Sequence, residues 1–223
     1  MSETEGEWQV RAKRVIEAQD ESEVREGYDA WAEQYDADHL NFGLLLLAHF
    51  VGVFCRHVVP GTAPILDAGA GTGRLGETLY LHGYTNFVGI DLSPGMLDIA
   101  ADKPGYRETR VQRLGDRLDY DDDTFPAVVS LGAFAPNLAG ADAFDDLIRV
   151  TRPGGVLVLS MRTGHESTTG FDRRRHEIET EGRWRYLDGI DDFVSHPELD
   201  ASMRYAIHVY RRCGAERRST ATL

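Results

Sequence analysis

The sequence predicts an α/β fold in which a parallel sheet is covered by helices on both faces. Three observations predict it. From Pro64 onward, apolar runs of strand length alternate with helical segments; a glycine-rich loop follows the first run; and an acidic residue, Asp91, closes the second.

Taken in order, residues from about Trp8 to His39 read as two helices broken near Asp20-Glu21-Ser22, where Asp20 or Ser22 can cap the second. A third helix is predicted from Gly43 to His57, ended by Pro60-Gly61. Ile65-Leu66 is the first strand, followed by a helix from Leu75 to His82, a strand at Phe87-Val88-Gly89-Ile90 and a helix from Pro94 to Ala101. Ala127 to Leu131 reads as a buried strand, Ala143 to Val150 as a helix, and Val156 to Met161 as a strand introduced by Pro153-Gly154-Gly155. Beyond Met161 the periodicity weakens, with a helix expected at Phe171 to Glu181 and strands at Trp184 to Tyr186 and Arg204 to Arg211. The expected organisation is one domain, with residues 1–60 as a helical extension or lid on residues 61–223.

Composition narrows the function. The 223 residues, 42% of them hydrophobic, suffice for one sizeable core, and 37 acidic against 24 basic residues give a formal charge of −13. That charge repels phosphate backbones and anionic membranes, so neither a nucleic acid nor a membrane is an expected partner. Cys55 and Cys213 stand far apart without a C-x-x-C pattern, which argues against a disulfide framework or a cysteine zinc site. The first residues lack the basic and apolar regions of a signal peptide, and the apolar run from Phe42 to Val59 is interrupted by His49, Arg56 and His57. A cytoplasmic location is expected.

The chemistry concentrates in Ile65-Leu66-Asp67-Ala68-Gly69-Ala70-Gly71-Thr72-Gly73. Glycines between a strand and a helix let backbone approach a ligand closely, and the helix start offers N–H donors. Gly71-x-Gly73-x-x-Gly76 also satisfies the dinucleotide pattern, so a nicotinamide-dependent oxidoreductase is one reading. Against it, Asp67 stands where the first glycine of a dinucleotide site belongs. A carboxylate there repels a pyrophosphate and suits the cationic amino-acid end of S-adenosylmethionine. Asp91, 24 residues on, is placed to accept ribose hydroxyls, with Leu92 and Met96 beside the adenine.

These pieces resemble the class I S-adenosylmethionine-dependent methyltransferases. The resemblance rests on four ordered motifs across roughly residues 64–162: Leu66 to Gly73, Gly89 to Leu97, Ala127 to Phe134, and Arg149-Val150-Thr151-Arg152-Pro153-Gly154-Gly155. Tyr28-Asp29-x-Trp31-Ala32-x-x-Tyr35-Asp36-x-Asp38, with Gly132-Ala133-Phe134 and Ser160-Met161-Arg162-Thr163, is similar to the Williams-Beuren syndrome critical-region methyltransferase subgroup. The resemblance implies a Rossmann-like, doubly wound seven-stranded sheet, mostly parallel with an antiparallel C-terminal hairpin, and an N-terminal helix over the cofactor. It implies S-adenosylmethionine as cofactor, with Asp67, Gly69, Gly71 and Gly73 at its methionine end, Asp91 at ribose, and Leu92 and Met96 at adenine. Leu114-Gly115-Asp116 is implied at the adenine edge, and Ser130, Leu131 and Gly132 beneath the cofactor. Two departures stand out: Pro126 follows Phe125 where the family commonly has Asp, and Ala135-Pro136-Asn137 lacks a histidine frequent at the substrate mouth.

The expected activity is methyl transfer to a small molecule by in-line displacement, with no metal. The candidates for a general base are Tyr28, Tyr35 and His165. Tyr28, Trp31 and Tyr35 also recur at the spacing of a helix core face, and the eight histidines otherwise read mostly as surface or packing residues without metal-ligand spacing. The missing base leaves a non-catalytic binder of S-adenosylmethionine or S-adenosylhomocysteine as the competing reading.

Overall fold

A computed structural model describes residues 6–42, 44–164, 170–197 and 200–214. Among them are seven strands: β1 (Ile65–Ala68), β2 (Phe87–Asp91), β3 (Tyr106–Val111), β4 (Phe125–Phe134), β5 (Thr151–Arg162), β6 (Trp184–Val194) and β7 (Arg204–Arg212). They form one sheet in the order β3-β2-β1-β4-β5-β7-β6. Neighbours from β3 through β5 are parallel, while β7 runs antiparallel to both β5 and β6. This is the Rossmann-like sheet, with the antiparallel C-terminal hairpin, that the motifs imply.

The helices are α1 (Glu7–Ile16), α2 (Glu21–Phe42), α3 (Leu44–His57), α4 (Arg74–Tyr80), α5 (Pro94–Ala101), α6 (Ala143–Val150) and α7 (Phe171–Thr180). Side chains two apart along the central strands enter the same layer, because successive residues of a strand point to opposite faces. Ile65, Ala127, Val129, Val156, Val158 and Ile207 join Phe50 and Phe54 of α3 and Leu79 of α4 on one face. Leu66, Ala68, Val128, Leu157 and Leu159 join Phe144 and Leu147 of α6 and Phe171 and Ile178 of α7 on the other. Strands buried on both faces need continuous apolar runs, which is why β1, β2, β4 and β5 stand out in the sequence.

The polar strand β3, Tyr-Arg-Glu-Thr-Arg-Val, carries no such run. It lies at the sheet edge, where one flank has no strand to pair with and charged residues are favoured. β6 is likewise an edge strand and extends to Val194, well beyond the expected Tyr186. β4 continues through Pro126, at a shift of register between Phe125 and Ala127 against β5. The break between α1 and α2 falls as expected, and Asp20 is the cap: its Oδ1 accepts the Glu23 N–H at 2.9 Å.

Cap chemistry also fixes α5. Ser93 Oγ accepts the Met96 N–H at 3.1 Å, and Pro94 occupies the first turn. The N-terminal helices hold a satellite core of Ala12, Val15 and Trp31. Beneath it, buried Asp38 accepts from Arg11 Nε at 2.8 Å and Trp31 Nε1 at 2.7 Å. Those donors hold the Asp38 carboxyl below the usual carboxylate range despite its burial.

Candidate functional site

The parallel strands point their C-terminal ends toward one edge of the sheet, where an open α/β sheet binds its ligands. Two adjoining cavities lie there, of about 150 and about 190 Å³. Each holds on the order of ten water-sized spaces, enough for parts of a cofactor or a small substrate. Both are lined by Tyr28 and Tyr35 of α2, by Gly69 and Gly71 of the loop after β1, and by Leu131 and Gly132 of β4.

The loop geometry explains its composition. Gly69 has φ of 79°, and a Cβ on it would sit 2.6 Å from the Ala133 Cβ, so neither the dihedral nor the space admits a side chain. Gly71, at φ of 54°, faces open space and donates its N–H to Asp91 Oδ2 at 2.8 Å. Gly73 is the N-cap of α4 and, unlike Gly69 and Gly71, does not line either cavity. Gly76, the last glycine of the dinucleotide-like pattern, gives up its Cβ space to Tyr106, whose ring would lie 2.6 Å from it. Packing of Tyr106 therefore accounts for that spacing.

The smaller, β2-side cavity brings together Asp91, Leu92, Met96 and Leu114. Asp91 Oδ1 accepts the Ser93 N–H at 2.9 Å, which leaves each carboxylate oxygen with lone-pair capacity for a diol. Burial pushes the Asp91 carboxyl up, while the N–H donors of Ser93, Gly71 and Leu92 pull it down. Gln112 and Arg113 line this cavity beside Leu114. Gly115 and Asp116 line neither cavity, and neither does Ser130, which is fully buried and donates to the Ala68 carbonyl at 2.6 Å.

The larger, β5-side cavity contains Asp67 and, away from the glycine loop, Arg74, His39, Arg162, His196 and Tyr205. Asp67 is 1% exposed, and its Oδ2 accepts the Tyr106 hydroxyl at 2.5 Å. Burial pushes its carboxyl up to about 7, against the opposing pull of Tyr106. A neutral phenol leaves a buried carboxylate short of positive charge, and an ammonium beside it supplies what is missing. The glycine cradle, the diol-accepting Asp91 and the cation-seeking Asp67 thus fit the two ends of S-adenosylmethionine. Sequence reasoning missed Tyr106, since it sits on the polar edge strand.

The cover is α2. Asp29 Oδ1 accepts from Ser93 Oγ at 2.5 Å and from the Gly95 N–H at 3.0 Å. Asp36 accepts from Thr72 Oγ1 at 2.5 Å and pairs with Lys103, and Glu21 pairs with Arg113. Glu21, Asp29 and Asp36, spaced about two helical turns apart, therefore fasten one face of α2 to the ligand-binding loops. At the mouth, Asn137 Nδ2 donates to the Ala18 carbonyl at 2.9 Å, tying the loop after β4 to the α1–α2 connection.

Of the three base candidates, His165 lies outside the described residues. Tyr28 and Tyr35 face both cavities, but burial raises both phenols well above their ordinary value, so they offer hydrogen bonds in preference to taking a proton. Among the remaining histidines, His39 and His196 pack against aromatic rings and also line the β5-side cavity. Burial holds His39 down to about 3 and His196 down to about 4, with Arg74 near both and Arg162 near His196 adding to the effect. Both are neutral imidazoles at neutral pH.

Residues 65–155 match the family described as "Methyltransferase domain". The human protein named methyltransferase-like protein 27 is 34% identical over 169 residues, covering 72% of this chain and 67% of that one. A Bos taurus protein named 18S rRNA (guanine-N(7))-methyltransferase is 38% identical over 77 residues, 34% of this chain and 27% of that one. Among solved structures, that of the [4+2]-cyclase SpnF superposes with a TM-score of 0.67 at 18% identity, covering 88% of this chain and 98% of that one.

Proposed function

The chain belongs to the class I S-adenosylmethionine-dependent methyltransferases, and from that membership we propose that it transfers the methyl group to a small molecule by in-line displacement. The observation that carries the proposal is the pair of adjoining cavities under α2, one suited to adenosine and the other reaching past Asp67 into a separate chamber. When bound, S-adenosylmethionine supplies a methyl group already activated as a sulfonium. Asp91 would hold the ribose, Leu92 and Met96 would flank the adenine, and Asp67 would take the ammonium. Tyr28 and Tyr35, at the junction of the cavities, would align the acceptor and exclude water, which is the main task left to the protein.

The acceptor is proposed as a small molecule on two grounds. The second chamber is small, and the net charge of −13 opposes a phosphate backbone, although one relative is named for an rRNA substrate. The pattern Tyr28 to Asp38 forms the α2 cover, and on that pattern we place the chain in the Williams-Beuren critical-region subgroup. A cytoplasmic location, suited to the free thiols of Cys55 and Cys213, is part of the same reading.

Calorimetry with S-adenosylhomocysteine and with NAD, followed by incubation of a metabolite extract with radiolabelled methyl donor, tests the proposal. Binding of the homocysteine compound and a labelled small-molecule product are expected. Tight NAD binding alone would overturn the cofactor assignment; S-adenosylhomocysteine binding with no labelled product would favour a non-catalytic binder; label in RNA would overturn the acceptor class.

A further inference from the structure

The chamber beyond Asp67 carries positive charge where the rest of the chain is acidic. Arg74 lies 3.9 Å from Asp36. Arg162, at the end of β5, has no carboxylate within 4 Å among the described residues, and its Nε is buried without a hydrogen-bond partner. A guanidinium in that condition is short of the acceptor oxygens that its donor fork matches in pairs. Around it stand Tyr205, its cross-strand partner on β7, together with Met203 and the aromatic face of Tyr28, Trp31 and Tyr35. A cation set among apolar and aromatic walls selects a ligand with an acidic group on a flat apolar body.

His196 follows β6 into the same chamber, and its contact with Ser195 favours one tautomer. Ser195 Oγ lies 3.0 Å from the Met203 carbonyl and 2.7 Å from His196 Nδ1. A carbonyl only accepts, so the single serine proton goes to Met203 and the serine oxygen accepts from Nδ1–H. That arrangement puts the lone pair of the neutral imidazole on Nε2, the atom assigned to the proton below.

We propose that this chamber binds an acceptor bearing a carboxylate or similar acidic group, held by Arg162, and that His196 Nε2 takes the proton from the acceptor's nucleophile. The inference rests on the methyl-transfer reading and names its substrate class. In the balanced step the nucleophile's proton passes to Nε2, its electron pair forms the bond to the methyl carbon, and the pair of the broken C–S bond is left on sulfur. The charged and titratable groups facing His196 are Arg162 of β5, Arg74 of α4, Tyr205 of β7 and His39 of α2, with Asp200 just beyond Arg162. An anion seated on Arg162 cancels part of the positive field that opposes protonation of His196, so binding of the acidic group raises the basicity of the group that needs it.

The labelled product from the metabolite extract provides the first test: it should be retained on an anion exchanger at neutral pH, and a neutral or cationic product overturns the inference. With that acceptor, Arg162→Met should raise KM at least about tenfold, with Arg162→Lys recovering part of the loss and S-adenosylhomocysteine affinity unchanged within about twofold. An unchanged KM in Arg162→Met overturns the acid site. His196→Asn should lower kcat about 100-fold with KM within about threefold, and an unchanged kcat overturns the base assignment. If S-adenosylhomocysteine itself fails to bind the wild-type chain, the methyl-transfer reading fails first and this inference falls with it.

Discussion

The two halves of the ligand site are built in opposite ways. The β2-side cavity is assembled largely from short contiguous stretches that follow a strand, so that Asp91 to Met96 and Gln112 to Leu114 each arrive as one segment. The β5-side cavity shares the glycine loop and adds dispersed residues from α2, the end of β5 and the C-terminal hairpin, as far apart as His39 and Tyr205. Contiguous construction lets the backbone of one segment fix the local geometry. Dispersed construction allows one face of the site to change without disturbing the other. The lesson is that the cofactor half should respond to substitutions as a unit, and the acceptor half residue by residue.

The largest expected effect breaks the cofactor half. Asp91→Ala removes the acceptor of the Gly71 and Ser93 N–H bonds and the proposed ribose ligand, and should weaken S-adenosylhomocysteine binding at least about 100-fold by calorimetry. Unchanged affinity would remove Asp91 from that role. Gly69→Ala comes next: the strained φ and the contact with Ala133 should cost about 1–3 kcal/mol of stability in denaturant unfolding, with loss of cofactor binding. Retention of both would show that the loop yields freely.

A smaller effect sharpens the boundary between the halves. The Asp67 carboxyl, near 7 in the free protein, must be ionised to pair with an ammonium, so S-adenosylhomocysteine affinity should rise as pH increases through about 7 and then level off. Tyr106→Phe removes the hydrogen bond that favours the ionised form, so it should move that rise to higher pH, while Asp67→Asn should abolish it. Titrations from pH 5.5 to about 8.5 read the result; coincident profiles for wild type and Tyr106→Phe would refute the coupling. The folded, cofactor-free protein binds the Asp67 proton more tightly than the unfolded chain, so this residue's contribution makes stability fall as pH rises between about 4 and 7. The smallest effect is expected on the cover: Asp29→Asn keeps the shape of a contact to Ser93 and Gly95 but removes its charge, and should weaken cofactor affinity only about threefold.

The same contrast explains what the sequence could tell. Ile65 to Gly73 was legible because strand, tight turn and helix start impose their residue types locally, and the four buried parallel strands were legible through their apolar runs. β3 was not, since an edge strand needs no such run, and Tyr106 was lost with it. His196 carries no local signal, and Arg162 carries only that of the Ser160-to-Thr163 motif, which says nothing of an acceptor. Each acquires its meaning when β5, β6 and β7 pair and place it beside the glycine loop, a consequence of topology that spacing along the chain does not encode. The loop Ala135-Pro136-Asn137, which departs from the family pattern, proves to serve the cover through Asn137.

The cover also bears on timing. Glu21, Asp29 and Asp36 hold α2 across both cavities, so a ligand leaving past the helix would have to break these contacts. Where that release limits turnover, its pace is set by the opening of three polar latches, an event of about microseconds to milliseconds for elements of this kind. Two of the three latches are ion pairs, and added salt weakens such pairs. Moderate salt should accordingly quicken departure before it loosens binding, giving an enzyme whose rate passes through a maximum with ionic strength.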